Sequence, residues 1–288
     1  MANDGKAGGA DRVWFITGCS TGFGRDLARQ VLESGDRVAV TARKPEVLAE
    51  FAASAASGRA LVLKLDVTDP AQVDAAVAAA QERFGRIDVL VNNAGIGYFA
   101  AVEESEEKEV RRMFEVNVFA LGRMTQAVLP GMRARRRGFI VNISSLGGIN
   151  SSPALGYYSA TKFAVEGLSG SLAVEVEPLG IKVIVVEPSG FRTDWAGRSA
   201  NESPVRIEDY AATAGVKREQ LRSQSGKQPG DPLRAARAIV EAVRSPNPPR
   251  HLPLGNAAYD IGTARLESLL AEFRAGEAVA RAADSPKN

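Results

Sequence analysis

The sequence is poor in the residues that staple or ligate. It has one cysteine, Cys19, and one histidine, His251, in 288 residues. A single cysteine excludes an internal disulfide and fits a reducing compartment. The histidine has no Cys, Asp or His companion at ligand spacing, which argues against a metal centre. Charge of one sign is also lacking: 36 Lys and Arg stand against 34 Asp and Glu, a net +2. Nothing global therefore points to nucleic acid or to an anionic membrane. Arg133, Arg135, Arg136 and Arg137 do cluster, but at a helix end, where cations suit the dipole. No aromatic recognition motif accompanies them. The longest apolar runs are far too short to span a bilayer, and the opening MANDGKAGGADR lacks the apolar core of a signal peptide. These absences predict a cytoplasmic protein with a disordered tail over residues 1–10.

What is present is ordinary globular material, 45% hydrophobic and 24% charged. Continuous apolar runs recur: VWFIT (13–17), RVAVTA (37–42), ALVLKLDV (60–67), IDVLVNN (87–93), GFIVNISS (138–145) and IKVIVVEP (181–188). Each reads as a buried strand. Helical patterns lie between them. One opens near Pro45, one runs from Asp69-Pro70 to Gly85, one from about Ser105 to Arg133, and one from about Leu155 to Glu177. Unbroken apolar strands alternating with helices predict a parallel sheet covered on both faces. The fold class is α/β: a single Rossmann-like, doubly wound sheet over residues 11–255. Segment 194–230 turns polar and reads as a variable lid over a substrate cleft. A helix over 231–245 and an edge strand HLPL follow. Residues 256–288 form a helical extension.

The first strand runs into TGCSTGFG, which sets Gly18, Gly22 and Gly24 between strand and helix. Glycines there permit a tight turn and close approach of a pyrophosphate, which the helix amides attract. The spacing differs from the commoner G-x-G-x-x-G, so its place after the first strand carries the reading. Cys19 reads as a packed residue of this turn. An acid at the tip of the second strand would bind the ribose of NAD. Here the tip is Thr41-Ala42-Arg43-Lys44, without an acid. Missing acid and present cations together favour NADP(H), with Arg43 at the 2′-phosphate.

TGCSTGFG, LDV at 65–67, NNAG at 92–95, Asn117 in VNVF, NISS at 142–145, Tyr158-x-x-x-Lys162 and EPSGFRT follow one another in order. This set resembles the short-chain dehydrogenase/reductase family over roughly residues 11 to 255. The resemblance implies that Ser20, Thr21 and Phe23 join the three glycines at the cofactor. It places Asp66 and Val67 at the adenine and Asn93, Ala94 and Gly95 along the adenosine ribose. Pro188, Gly190, Phe191 and Thr193 would cover the nicotinamide, although Ser189 here separates Pro188 from Gly190. It further implies that Asn117 holds a water of a proton relay, and that the catalytic serine lies thirteen residues before the tyrosine, which selects Ser145 over Ser144. A buried amide capping local backbone is the other reading of Asn117.

Protonating the oxyanion left by hydride transfer requires an acid. Tyrosine titrates near 10, and a nearby ammonium lowers that value. Positions i and i+4 share a helix face, so Lys162 partners Tyr158 better than Tyr157. The expectation is a carbonyl reductase or alcohol dehydrogenase with Tyr158 as acid–base, Lys162 lowering its pKa and gripping the ribose, and Ser145 orienting the carbonyl. Ser145 has no histidine base at a recognisable spacing, which argues against a hydrolase triad. Two rivals stand beside it: an NAD-linked alcohol dehydrogenase and a non-catalytic dinucleotide sensor. The substrate, an apolar carbonyl or secondary alcohol, would meet Ile96 to Phe99, Leu146 to Leu155, Trp195 and Tyr210. The resemblance also implies a dimer or tetramer.

Overall fold

Each buried apolar run becomes a strand, and each amphipathic run between them a helix. The computed structural model describes residues 11–285. The expected tail over residues 1–10, and the last three residues of the C-terminal extension, lie outside the described residues. The elements run β1 (Val13–Ile16), α1 (Gly22–Glu33), β2 (Arg37–Ala42), α2 (Ala52–Ala56), β3 (Ala60–Lys64), α3 (Pro70–Phe84), β4 (Val89–Asn92), β5 (Gly97–Phe99), α4 (Glu107–Phe114), α5 (Ala120–Arg135), β6 (Gly138–Ile143), α6 (Gly156–Val176), β7 (Ile181–Pro188), β8 (Ala200–Glu202), α7 (Val216–Ser223), α8 (Pro232–Arg244), β9 (His251–Leu254), α9 (Asn256–Ala275) and α10 (Glu277–Ala282).

Seven strands form one sheet in the order β3-β2-β1-β4-β6-β7-β9, every pair parallel. Neighbouring residues of a strand face opposite sides. Val13 and Phe15 therefore join Val73, Met124 and Val176 of α3, α5 and α6 in one core. Trp14 and Ile16 join Leu27, Val31, Ile239 and Val243 of α1 and α8 in the other. Strand order reverses between β1 and β4, which opens a crevice at their C-terminal ends. No helix among the described residues is long and apolar enough to cross a membrane.

Local signals explain the helix ends. Asp69 accepts hydrogen bonds from Ala71 N and Gln72 N, and Pro70 occupies the first turn of α3. Gly85 stops that helix in the left-handed region at φ 80°. Asp231 and Pro232 start α8 in the same way. Three expected elements differ. The third strand ends at Lys64, because Asp66 turns back to accept from Thr68. The segment after Pro45 is a 3₁₀ helix before the short α2. The stretch from 105 to 133 is two helices, α4 and α5, joined by a π turn at Glu115–Phe119 that contains Asn117. Such widened turns often mark functional positions.

Segment 194–230 folds over the C-terminal end of the sheet. Its β8 pairs with β5 outside the main sheet, and α7 follows. A buried ion pair fastens it: Arg218 Nη1 donates to Glu104 Oε2 at 2.6 Å, with both side chains almost wholly enclosed. Glu104 also accepts from Ile207 N and Ala101 N. Removing the arginine would strand a carboxylate with only backbone donors. Arg218→Met is therefore expected to lower unfolding free energy by about 3 kcal/mol or more in urea titration, the usual cost of breaking a buried pair from one side. An unchanged midpoint would show that the pair is dispensable.

Candidate active site

At the end of β1 the chain turns through Gly18, at φ 72°. A Cβ on Gly24 would meet Asn93 Nδ2 and stand 2.6 Å from Gly18 O, so only glycine fits there. Thr17 and Asn93 hold the turn against β4. Thr17 Oγ1 accepts from Asn93 N and Ala94 N at 2.9 and 3.0 Å. Asn93 Nδ2 donates to Thr17 O and Gly18 O at 2.8 and 3.0 Å. The side chain of Asn93 thus shapes the loop. Thr21 stands at the N-cap of α1 without a side-chain cap, and the first turn carries no acid. Its leading amides have no intrahelical acceptor and face the crevice end, a ready site for an anion. Cys19 is fully buried, its N donating to Thr41 O, and burial pushes its thiol up to about 12. The expected packing role fits.

At the tip of β2, Arg43 and Lys44 are exposed. Asp66 spends one carboxylate oxygen on Thr68, and Val67 O accepts from Arg123. On the far side of the crevice, Phe191 packs on Phe23 with ring centroids 4.9 Å apart. Thr193 Cβ lies 3.3 Å from where a Cβ of Gly22 would be. Segment 188–193 therefore meets the glycine loop. Just past the end of β7, Ser189 keeps contact with β9, its N donating to Leu254 O at 3.0 Å. Gly190 then pairs through its carbonyl with Gly230 N.

Tyr158 and Lys162 share one face of α6, both buried. Lys162 Nζ lies 5.7 Å from the centre of the Tyr158 ring and donates to Ile143 O at 2.8 Å. Burial holds the lysine down to about 8, opposed by the charge of Glu166. Burial also pushes the phenol up to about 12, opposed only by a hydrogen bond with Ser145. The lowered phenol expected from Lys162 is therefore absent from the chain alone. Desolvation of the phenolate prevails, and the ammonium is engaged with a carbonyl. Ser145 Oγ accepts from Gly147 N at 3.0 Å, which fixes its rotamer beside the phenol. Tyr157 is half-buried and packs against the cluster of Tyr98, Ala100 and Met113.

Asn117 is more constrained than expected. Its Oδ1 accepts from Ile96 N, and its Nδ2 donates to Ile96 O and Thr161 Oγ1. One side-chain proton clamps the β4–β5 connection at Ile96 and the other ties it to α6 at Thr161. A Cβ on Gly95 would stand 3.4 Å from Asn117 Oδ1 and 3.9 Å from Lys162 Nζ, so glycine keeps the space between them open. Trp195 was expected only as a substrate contact. It lies on Tyr158 itself, ring centroids 4.9 Å apart, and against Phe99 at 5.7 Å.

The family model for short chain dehydrogenases matches residues 12–203. The chain belongs to the short-chain dehydrogenase/reductase family. It is 41% identical over 260 residues to Oxidoreductase BOA17 of Botryotinia fuckeliana, covering 90% of this chain and 94% of that one. It is 39% identical over 245 residues to a 3-ketodihydrosphingosine reductase of Bacteroides thetaiotaomicron, covering 85% and 88%. The crystal structure of a short-chain dehydrogenase from Streptomyces avermitilis is 44% identical, with TM-score 0.88 over 96% of this chain and 99% of that one. Similar solved structures include complexes with NAD and with NADP. As a family member, the chain brings Gly18, Gly24, Asn93, Asn117, Ser145, Tyr158 and Lys162 to one end of the sheet. Arg43 and Asp66 lie toward its β2–β3 side. Spacing in sequence did not reveal Thr17, whose signal is only a buried hydroxyl after β1. Nor did it reveal that Glu166, Glu187 and His251 gather with their ligating atoms all within 4.8 Å.

Proposed function

We propose that this family member reduces a carbonyl, or oxidises the corresponding secondary alcohol, with NADP(H). The observation that carries the reading is the enclosed Ser145–Tyr158–Lys162 group beside an uncapped helix end. The residues fit the dinucleotide. The first amides of α1 would take its pyrophosphate, with Ser20, Thr21, Gly22 and Phe23 around it. Arg43 would meet the 2′-phosphate, since no acid stands there to repel it. Asp66, Val67, Ala94 and Gly95 would border the adenosine, and Pro188, Gly190, Phe191 and Thr193 the nicotinamide. When bound, that cofactor supplies or accepts the hydride.

The side chains supply the rest. The Ser145 hydroxyl donates a hydrogen bond to the substrate oxygen and stabilises its developing charge. Tyr158, a phenol pushed up to about 12, arrives protonated and gives its proton to that oxygen. Lys162 then stabilises the phenolate that remains. A high phenol pKa favours the reductive direction, because a proton donor is needed there. Segment 194–230 acts as a lid: Trp195 covers the phenol and must yield as substrate enters. Ile96, Tyr98, Met113, Leu155 and Tyr157 make the cleft apolar, which favours a hydrophobic ketone or aldehyde. The similarity to a protein named for reducing 3-ketodihydrosphingosine agrees. Exposed Phe119, Phe163, Leu168 and Val174 on the long central helices and their junction favour a homo-oligomer.

Two outcomes test this. Tyr158→Phe is expected to lose at least about a hundredfold in turnover, within the span of general acid catalysis, while Tyr157→Phe keeps most of it. NADPH affinity should survive in both, by fluorescence titration. Near-wild-type rate in Tyr158→Phe would remove the mechanism. Michaelis constants should also be lower for NADPH than for NADH, and Arg43→Ala should narrow the gap. A clear NADH preference in the wild type would assign the cofactor to NAD.

A further inference from the structure

The arginines at the end of α5 have no part in the roles above. Two of them, Arg135 and Arg137, line an open cavity of about 250 Å³ together with Arg12, Arg86 and Asp88. The cavity lies at the N-terminal ends of β1, β4 and β6, the end of the sheet opposite the crevice. The strand ladder sets the spacing there. Asp88 N donates to Val13 O, and Phe139 N donates to Asp88 O, both at 2.9 Å. Arg12 and Arg137 come just before those two partners, so they flank the start of β4 from either side. Neighbouring strands lie about 4.8 Å apart, which sets the two outer backbones about 10 Å from each other. Two arginine side chains can close such a gap on one small ion. The volume matches roughly eight waters at about 30 Å³ each, enough for a phosphate and part of a group esterified to it.

Charge in this cavity is not balanced. Four arginines against one aspartate leave a net +3 in the lining. The aspartate is already engaged. Its two oxygens accept from Arg86 Nε at 3.0 and 2.8 Å, and Oδ2 also accepts from Val13 N. Arg86 Nη2 donates to Asp11 O, and Arg135 Nη2 to Ile87 O. Asp36 accepts from the backbone N of Arg12, but its carboxylate is held by Trp14 Nε1 and Arg244. Among the described residues, no carboxylate forms an ion pair with Arg12, Arg135 or Arg137, since Asp88 pairs with Arg86 and Asp36 with Arg244. Burial holds the Arg12 guanidinium below its ordinary value; Arg137 and Arg244 add to this, against Asp36 and Asp88. The dipole of α5 accounts for cations at its own end, but it does not call for Arg12 and Arg86 from other segments. Guanidinium forks match phosphate oxygens in pairs. A dianion answers a +3 lining better than a single carboxylate does.

We propose that this cavity binds the phosphate dianion, free or as the head group of a small monoester, between Arg12, Arg135 and Arg137. Asp88, paired with Arg86, keeps a fourth guanidinium beside it. Binding is ionic and hydrogen-bonded, with no covalent step. A bound phosphate would tie the end of α5 to the starts of β1, β4 and β6, so occupancy stabilises the fold. The site is separate from the Ser145–Tyr158–Lys162 group and does not rest on the reading of that group.

Calorimetric titration of the full chain with inorganic phosphate and with glucose 6-phosphate, at constant ionic strength, tests it. Arg12→Gln and Arg137→Gln are each expected to weaken binding roughly tenfold or more, as loss of a charge-assisted hydrogen bond implies. Arg133→Gln, at the same helix end but outside the cavity, should leave it unchanged, and so should Arg43→Ala at the crevice end. Phosphate should also raise the melting temperature of the wild type and of Arg43→Ala, in step with occupancy, but not that of Arg137→Gln. Arg137 is exposed, so its glutamine variant keeps the test open even where Arg12→Gln fails to fold. The tighter of the two ligands identifies the source as monoester or free ion. Absence of binding by the wild type at millimolar phosphate overturns the proposal. Binding lost in Arg43→Ala but kept in Arg137→Gln also overturns it, because the ion then sits in the crevice. Equal weakening by Arg133→Gln overturns it too, as diffuse attraction to a basic surface.

Discussion

The rest of the site is arranged around the exclusion of water from α6, where Tyr158 and Lys162 lie buried side by side. Burial disfavours both of their charged forms. It keeps the phenol protonated and brings the ammonium down to about 8, within reach of neutral pH. Everything near the pair either preserves that dryness or offers a charge to it. Trp195 covers the ring, Ser145 is set by Gly147 N, and Ile143 O accepts from the lysine. The chain alone therefore supplies a proton donor and a displaced cation. Stabilising a phenolate there needs the lysine freed from Ile143 and turned toward the ring.

The same physics explains why the crevice sits where it does. A parallel sheet buried on both faces leaves only its ends for chemistry. The reversal between β1 and β4 separates the loops at one of those ends. Thr17 and Asn93 then fasten the glycine turn to β4 with five hydrogen-bonding contacts, counting Thr17 Oγ1 to Val91 O. Segment 188–193 closes from the other side through Phe191 on Phe23. Segment 194–230 is fastened separately, by Glu104 and Arg218, so it can differ from the crevice in stability.

Much of this was legible in order and spacing. Apolar runs between helical patterns located six of the seven strands of the main sheet, because burial on both faces leaves little room for polar alternation, and HLPL gave the half-exposed edge strand β9. The i, i+4 rule separated Tyr158 from Tyr157, and the packing agrees. Other features depend on contacts between distant segments. Glu166, Glu187 and His251 come from α6, β7 and β9, and no spacing rule joins them. The partners of Asn117 were hidden as well: from the π turn its amide protons go to Ile96 and Thr161, segments far away in the sequence. The sign of the phenol shift was also hidden, since sequence shows the lysine but not the depth at which both groups lie.

The central claim is that Tyr158 is a protonated, desolvated phenol until the cofactor joins it. The direct measurement is its ionisation, followed by ultraviolet difference absorbance against Tyr158→Phe, with and without NADP. Without the cofactor the midpoint should lie near 12, as burial demands. With it the midpoint should drop, as Lys162 turns toward the ring. A midpoint at or below the ordinary tyrosine value of about 10 in the free protein would contradict the account.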